Sequence, residues 1–115
     1  MHETSIVNSI MRTLEMEFNE EKRNKMTEIH LKVGILSNIE PRLLQNAYSA
    51  SQMMHPEYKN VTLSIESTPI KIKCDFCGET TMVQNYRFLC DTCERPSKNI
   101  IQGEEMLIHK VAFAD

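Results

Sequence analysis

Thr-Glu-Ile-His-Leu-Lys-Val-Gly-Ile-Leu, residues 27–36, is the stretch of sequence that decides the fold. Its apolar side chains fall on alternate positions: Ile29, Leu31, Val33 and Ile35. Alternation with a period of two predicts a strand with one buried face. Gly34 lies inside the pattern and indicates a bulge or the close approach of another backbone segment.

Helices are predicted on both sides of this strand. Residues 5–23 carry apolar side chains at helical spacing: Ile6, Val7, Ile10, Met11, Leu14 and Phe18. A second helix opens at Glu40-Pro41, because proline fits the first helical position, and it ends before Pro56. Its predicted apolar face consists of Leu43, Leu44, Ala47, Tyr48, Ala50 and Met54.

Two further strands complete the predicted core. Residues 61–73 alternate again and are interrupted at Pro69, which predicts an edge or a bulge there, and residues 104–113 read as a last strand. The sequence therefore predicts an α+β fold in which two helices pack on a three-stranded sheet. A ribbon-like four-cysteine domain, residues 74–98, projects from it before the last strand, and residues 1–73 plus 99–115 form the other domain.

Composition excludes several classes of protein. The chain has 115 residues and a net charge of -3, which argues against a broad phosphate-binding surface. No apolar run approaches the roughly 20 residues that a membrane span needs. The first residues lack the basic-then-apolar pattern of a signal peptide. We therefore expect a cytoplasmic protein that is not embedded in a membrane.

The four cysteines predict a metal site. They form two pairs, Cys74-x2-Cys77 and Cys90-x2-Cys93, separated by twelve residues. In a reducing cytosol such spacing favours metal binding over disulfides, and Zn²⁺ prefers four thiolates. Four protein ligands leave no position for a reactive water, so the predicted zinc is structural. Gly78 can adopt the positive φ that a thiolate-binding turn needs.

The start of the chain offers a second set of metal ligands. The amine of Met1, the amide and imidazole of His2, and the amide or carboxylate of Glu3 can converge on one ion. Nitrogen-rich tetragonal coordination suits Ni(II) or Cu(II), although a solvated terminus is the commoner role of such residues. His30, His55 and His109 are the other candidate histidines, and each is more often an ordinary surface residue.

Two alternatives stay open from the residues alone. Paired CxxC turns are common in small zinc ribbons that bind nucleic acid, and Tyr86 and Phe88 flank Arg87, where they could stack on bases. Between Cys74 and Cys93, however, Arg87 is the only basic residue. A thiol oxidoreductase is the third class, but neither CxxC pair has the strand–helix context of a redox motif.

The order and spacing of the motifs resemble one known family. They are Met1-His2-Glu3-Thr4-Ser5, Gly34-x-x-Ser37-x-Ile39-Glu40-Pro41, the two CxxC pairs, and Gly103-x-Glu105-Met106. Together they are similar to the HypA/HybF family of nickel metallochaperones that mature [NiFe]-hydrogenases. The resemblance covers the whole chain.

The resemblance implies a non-enzymatic nickel carrier. By this likeness Ni(II), the transient cargo, binds at His2 and Glu3, and structural zinc is held by Cys74, Cys77, Cys90 and Cys93. The implied partners are a HypB-type GTPase and the hydrogenase large-subunit precursor, and some family members also serve urease. The family fold is an α+β nickel domain with a projecting zinc domain, as the predicted order of elements requires.

Overall fold

The computed structural model describes residues 3–115. It contains three helices and six strands: α1 (Glu3–Glu17), α2 (Glu20–Arg23), β1 (Met26–Gly34), α3 (Pro41–Met54), β2 (Thr62–Thr68), β3 (Lys71–Lys73), β4 (Thr80–Met82), β5 (Ile100–Gln102) and β6 (Met106–Phe113). The molecule is elongated. Its radius of gyration is 17.5 Å, whereas that of a compact chain of this length is about 13 Å. This shape agrees with a body from which a second lobe projects.

The main sheet has the strand order β2-β1-β6. β1 pairs in parallel with β2 and antiparallel with β6, so the predicted strand lies at the centre. Ile29, Leu31 and Val33 are each at most 1% exposed. The alternation thus correctly identified the buried face of β1. Ile35 is an exception, since the strand ends at Gly34 and Ile35 is half-exposed in a short 3₁₀ turn.

The first helix covers one face of this sheet and ends earlier than predicted. The buried side chains of α1 are Ile6, Val7, Ile10, Met11 and Leu14. The single helix predicted over residues 5–23 is wrong, because Asn19 accepts a hydrogen bond from the backbone N–H of Lys22 at 2.8 Å and so starts α2. Phe18 leaves the helix and packs edge-on against Phe113.

The second predicted helix forms, but its buried face is narrower than expected. Leu44 and Tyr48 are buried in α3 and Ala47 is partly buried, as predicted. Leu43 is 49% exposed and Met54 80% exposed, and Ala50 is exposed as well, so these parts of the prediction are wrong. α3 packs against α1 and β2, and apolar spacing alone does not show how wide that contact is. Within residues 3–115, no helix combines the length and apolarity needed to cross a membrane.

A second sheet, with the order β4-β3-β5, carries the cysteine segment. The predicted continuation of the second strand through residues 70–73 is wrong, because β2 ends at Thr68 and β3 belongs to this other sheet. Pro69 separates the two strands and has no N–H with which to continue the first ladder. Ile70, Ile72 and Val83 form a small buried cluster of their own.

The two sheets meet where Gly34 approaches Gly103. The N–H of Gly34 donates to the carbonyl of Glu105, and the N–H of Leu36 donates to that of Gly103, both at 2.7 Å. A Cβ on Gly34 would lie 2.0 Å from the carbonyl oxygen of Gly103. The sequence prediction of a close backbone approach at Gly34 is therefore confirmed.

A carboxylate fastens the same junction. Glu105 accepts hydrogen bonds from the hydroxyl of Thr68 at 2.5 Å and from the N–H of Gly103 at 2.6 Å. Burial alone would raise the pKa of Glu105, but these hydrogen bonds outweigh it and hold the pKa below its usual value. A depressed folded-state pKa stabilises the fold at neutral pH, and this contribution is lost only as the pH falls below the ordinary glutamate range.

We predict that Gly34→Ala destabilises the protein by roughly 2–4 kcal/mol, because the new methyl group overlaps backbone that cannot swing aside. The backbone of Gly34, at φ -71° and ψ 147°, already suits alanine, so the whole cost is steric. Thermal and urea unfolding measure the change. In the matched control Gly78→Ala, the Cβ meets nothing within 4 Å, and only the positive φ costs about 1 kcal/mol. An unchanged stability of Gly34→Ala would contradict the close contact.

Candidate metal centre

The four cysteines converge in the second lobe. Their Sγ atoms all lie within 4.8 Å of one another, with 3.4 Å between Cys74 and Cys93 and 3.5 Å between Cys77 and Cys90. None of the four forms a disulfide. The structure therefore brings together the four residues that the sequence predicted as one site.

Each pair lies on a tight turn, and the two turns have the same form. In the first turn, the N–H of Gly78 donates to the carbonyl of Cys74, and in the second the N–H of Glu94 donates to that of Cys90. Gly78 has a φ of +78°, as predicted, and Glu94 has a φ of +61°. A glutamate with a positive φ is uncommon. Its one sequence signal is that Glu94, like Gly78, directly follows the second cysteine of a CxxC pair.

Backbone hydrogen bonds to sulfur favour the thiolate at two of the four cysteines, Cys74 and Cys90. The N–H of Phe76 points at the Sγ of Cys74, and the N–H of Thr92 points at the Sγ of Cys90, both at 3.4 Å. Backbone N–H groups of Cys93 and Thr92 outweigh the effect of burial and lower the pKa of the Cys90 thiol to about 6. Such donors stabilise thiolates, which are the form of cysteine that binds metals.

The donor set fits a tetrahedral metal ion. Four sulfurs at about 2.3 Å from a central ion would be about 3.8 Å apart, close to the distances found here. Cys74 and Cys90 are buried, whereas Cys77 is exposed and Cys93 is intermediate. When a metal is bound, it supplies charge neutralisation and a crosslink between the two turns, and no ligand position remains for a reactive water.

Two buried hydroxyls that support the turns were missed by the sequence analysis. Thr81 accepts a hydrogen bond from the N–H of Asp91 at 3.0 Å, which ties β4 to the second turn. Ser97 donates to the carbonyl of Lys73 at 2.8 Å, just before the first cysteine. Both side chains are at most 4% exposed. Isolated threonine and serine residues have no spacing signal, so only the folded chain identifies them.

The predicted N-terminal ligands are only partly covered by the structure. Met1 and His2 lie outside the described residues, and Glu3 is the first residue of α1. His30 pairs with Glu28 on β1. His55 and His109 are exposed. Within residues 3–115, the four cysteines are the only group of three or more metal-ligand side chains brought together.

The same lobe weakens the nucleic-acid alternative. Tyr86 is exposed, but Phe88 packs against the small cluster of Ile70, Ile72 and Val83. One of the two aromatic side chains that flank Arg87 is therefore engaged in packing and does not offer a free ring for base stacking.

Comparison with known proteins supplies the context of this site. One family model matches residues 1–113 and is described as hydrogenase/urease nickel incorporation, metallochaperone, hypA. Among curated proteins, the hydrogenase maturation factor HypA of Campylobacter jejuni is 34% identical over 113 residues, which are 98% of this chain and 99% of that protein. Its counterpart in Desulfitobacterium hafniense is 32% identical, with 96% of each chain covered.

Solved structures show the same fold. The solution structure of the nickel metallochaperone HypA from Helicobacter pylori superposes with a TM-score of 0.67 at 20% identity, over 99% of this chain and 98% of that one. A second solution structure, of a HypA protein, gives a TM-score of 0.71 at 22% identity, over 98% and 96% of the two chains. The predicted α+β architecture with a projecting four-cysteine lobe is confirmed.

We predict that Cys90→Ser removes one tightly bound metal ion per chain and unfolds the second lobe, because a hydroxyl is a poor substitute for a thiolate. Elemental analysis and circular dichroism follow the two losses, and the helices should largely persist. Asp91→Asn is the matched control, since it lies beside Cys90 and leaves all four thiols in place. Full metal content in Cys90→Ser would contradict a four-thiolate site.

Proposed function

Because the chain belongs to the HypA family of hydrogenase and urease nickel-incorporation metallochaperones, we propose that it carries Ni(II) at Met1-His2-Glu3 and holds structural zinc on its four cysteines. The protein is a nickel metallochaperone and not an enzyme. The observation that carries the nickel site is the family match over residues 1–113, which includes this start motif.

The chemistry of the start motif suits nickel as cargo. The imidazole of His2 is the best single donor, and the amine of Met1 and main-chain amides complete a nitrogen-rich tetragonal set, with Glu3 as a further donor. Few side chains take part, and all belong to one short segment. Such a site can release its ion to a partner more readily than a buried cage can.

The direction of α1 places Glu3, the one described residue of the start motif, relative to the sheet. Phe18, just after α1, packs on Phe113, which pairs with Met26 at the start of β1. The helix therefore runs back over the sheet, and its first residue, Glu3, lies toward the end at which β1 reaches Gly34. We propose that residues 1–73 plus 99–115 hold the nickel-binding domain and that residues 74–98 form the zinc domain, whose sheet is completed by β3 and β5 from the flanking segments.

Zinc is the metal that we propose for the cysteines. Its preference for four thiolates at tetrahedral geometry matches the donor set, and iron is the other ion that such a set accepts. The buried cluster of the second lobe contains only Ile70, Ile72 and Val83. Because so small a cluster offers little burial, the bound ion supplies folding free energy to the lobe.

The proposed partners follow from the family. They are a HypB-type GTPase, the hydrogenase large-subunit precursor and, through the urease branch of the family description, urease maturation factors. We place the protein in the cytoplasm, because free thiols that hold a metal need a reducing compartment. Nucleic acid is not among the proposed partners.

We predict that His2→Ala abolishes specific Ni(II) binding and leaves the zinc content and the fold unchanged. Residue 2 precedes α1, so its side chain can be removed without disturbing the apolar residues that α1 buries. Affinity of the unaltered protein should fall as the pH drops through the range near the histidine pKa, about 6.5, because the ligands must lose protons to bind. Nickel titration by calorimetry at two pH values measures both effects.

The control for this experiment is His55→Ala, which removes an exposed histidine at the end of α3. It should bind nickel as the unaltered protein does. An N-terminal extension should weaken or distort the site, because it converts the amine of Met1 into an amide. Nickel binding by His2→Ala at full affinity would falsify the proposed site and return His30, His55 and His109 to consideration.

A GTPase partner should dock on the outer face of α1, where Arg12 and Glu15 are exposed. Asn19 lies beyond α1 and caps α2, so it is not part of this face. The double charge reversal Arg12→Glu with Glu15→Arg should weaken GTPase binding about tenfold or more, as measured by surface plasmon resonance. Glu57→Lys with Lys59→Glu, two exposed residues after α3, is the matched control. If both double variants bind the GTPase as tightly as the unaltered protein does, this face of α1 is not the docking site.

A further inference from the structure

Within residues 3–115, β6 is an edge strand of the main sheet. In the order β2-β1-β6 it pairs with β1 alone, and it is eight residues long. An edge strand directs alternate N–H and C=O groups outward, where another strand can pair with them. The question is whether the protein covers this edge, as many proteins do, or leaves it available.

Side chains of α3 cap the start of the opposite edge, that of β2. Gln45 donates to the carbonyl of Leu63 in β2 at 3.2 Å. Gln52 and Tyr48 both donate to the carbonyl of Val61, just before β2, at 3.0 and 2.7 Å. No side chain among residues 3–115 makes such a bond to the backbone of β6. The β2 edge therefore receives side-chain hydrogen bonds to its backbone, and the β6 edge receives none from residues 3–115.

The apolar core is also incompletely covered along β6. Its inward-facing side chains pack against the core but remain only partly buried: Met106, Ile108, Val111 and Phe113. Their counterparts in β1, one strand further in, are at most 5% exposed. An added strand with apolar residues on this face would continue the core and shield these four partly buried side chains from water.

Charge at the middle of β6 favours a partner over a second copy of the chain. Lys110 is exposed, and within residues 3–115 no carboxylate comes within 4 Å of its ammonium group. A bulge places His109 beside it. Antiparallel pairing of two β6 strands over their full length would set Lys110 opposite His109 of the copy and the two lysines diagonally adjacent, which is repulsive. An acidic residue opposite Lys110 would be attractive.

We propose that the outer edge of β6 is a strand-addition site for an extended segment of a protein partner in which apolar and acidic residues alternate. The main-chain groups of β6 supply hydrogen bonds to any extended segment. The four partly buried side chains select apolar residues on the inner face, and Lys110 selects a carboxylate on the outer face. The four cysteines lie in the lobe of the other sheet and are not part of this site.

A synthetic peptide of alternating valine and glutamate, as long as β6, tests the proposal. Fluorescence anisotropy should detect binding at peptide concentrations below about 1 mM, and hydrogen exchange should show protection confined to the β6 amides. Lys110→Glu should weaken this binding about tenfold and favour the matching valine–lysine peptide. Lys59→Glu, near the capped start of the β2 edge, is the control. It should change neither the affinity for the valine–glutamate peptide nor the preference between the two peptides.

A peptide with N-methylated alternate amides separates strand addition from simple charge attraction, because it keeps the side chains and loses one edge of hydrogen-bond donors. It should not bind. The proposal is overturned by the absence of binding, by equal binding of the N-methylated peptide, or by equal affinity for Lys110→Glu. Sedimentation that reveals a dimer of the unaltered protein, with its β6 amides protected from hydrogen exchange in the absence of peptide, would also overturn it, since the occupant would then be a second copy.

Discussion

Gly34 and Gly103 lie so close together that no side chain fits on Gly34, and the two sheets of the molecule meet at this point. The contact brings the end of the central strand against the turn that leads into β6. Hydrogen bonds from Gly34 and Leu36 and the carboxylate of Glu105 fix it on several sides. Because both chain crossings between the sheets pass through this region, the orientation of the metal lobe depends on it.

The two lobes are held together by different forces. The main body buries a continuous apolar cluster between α1, α3 and the sheet. Besides the buried Cys74 and Cys90, the second lobe has a buried apolar cluster of only Ile70, Ile72 and Val83. It otherwise relies on paired turns and on the buried hydroxyls of Thr81 and Ser97. Burial of so few side chains cannot offset the entropy of ordering the lobe, so a metal crosslink is the missing contribution.

This division suits a metal carrier. A closed four-thiolate site binds its ion permanently and stabilises a lobe, whereas a carrier also needs ligands from which an ion can leave. The proposed ligands belong to one short segment at the start of the chain, ahead of the apolar side chains that α1 buries. The sheet shows a similar asymmetry, since glutamine and tyrosine side chains of α3 cap the start of the β2 edge, whereas no side chain among residues 3–115 bonds to the backbone of β6.

The amino-acid sequence by itself determined the buried faces of α1 and β1, the four-cysteine site with its left-handed Gly78, and a close approach at Gly34. Each depends on a local period or spacing, which the chain carries whatever its neighbours are. The motifs also identified the family, which a comparison over nearly the whole chain bears out.

Only the tertiary structure decided where the first helix ends, how much of α3 is buried and which distant segments meet. Periodicity predicted helix up to residue 23, but the side chain of Asn19 and the packing of Phe18 on Phe113 divide it. Apolar spacing put Leu43 and Met54 in the core, but both are exposed, because α3 buries only the face that holds Leu44 and Tyr48. The partner of Gly34 is distant in sequence, and no local pattern encodes a contact between two backbone segments, because it depends on how the whole chain packs.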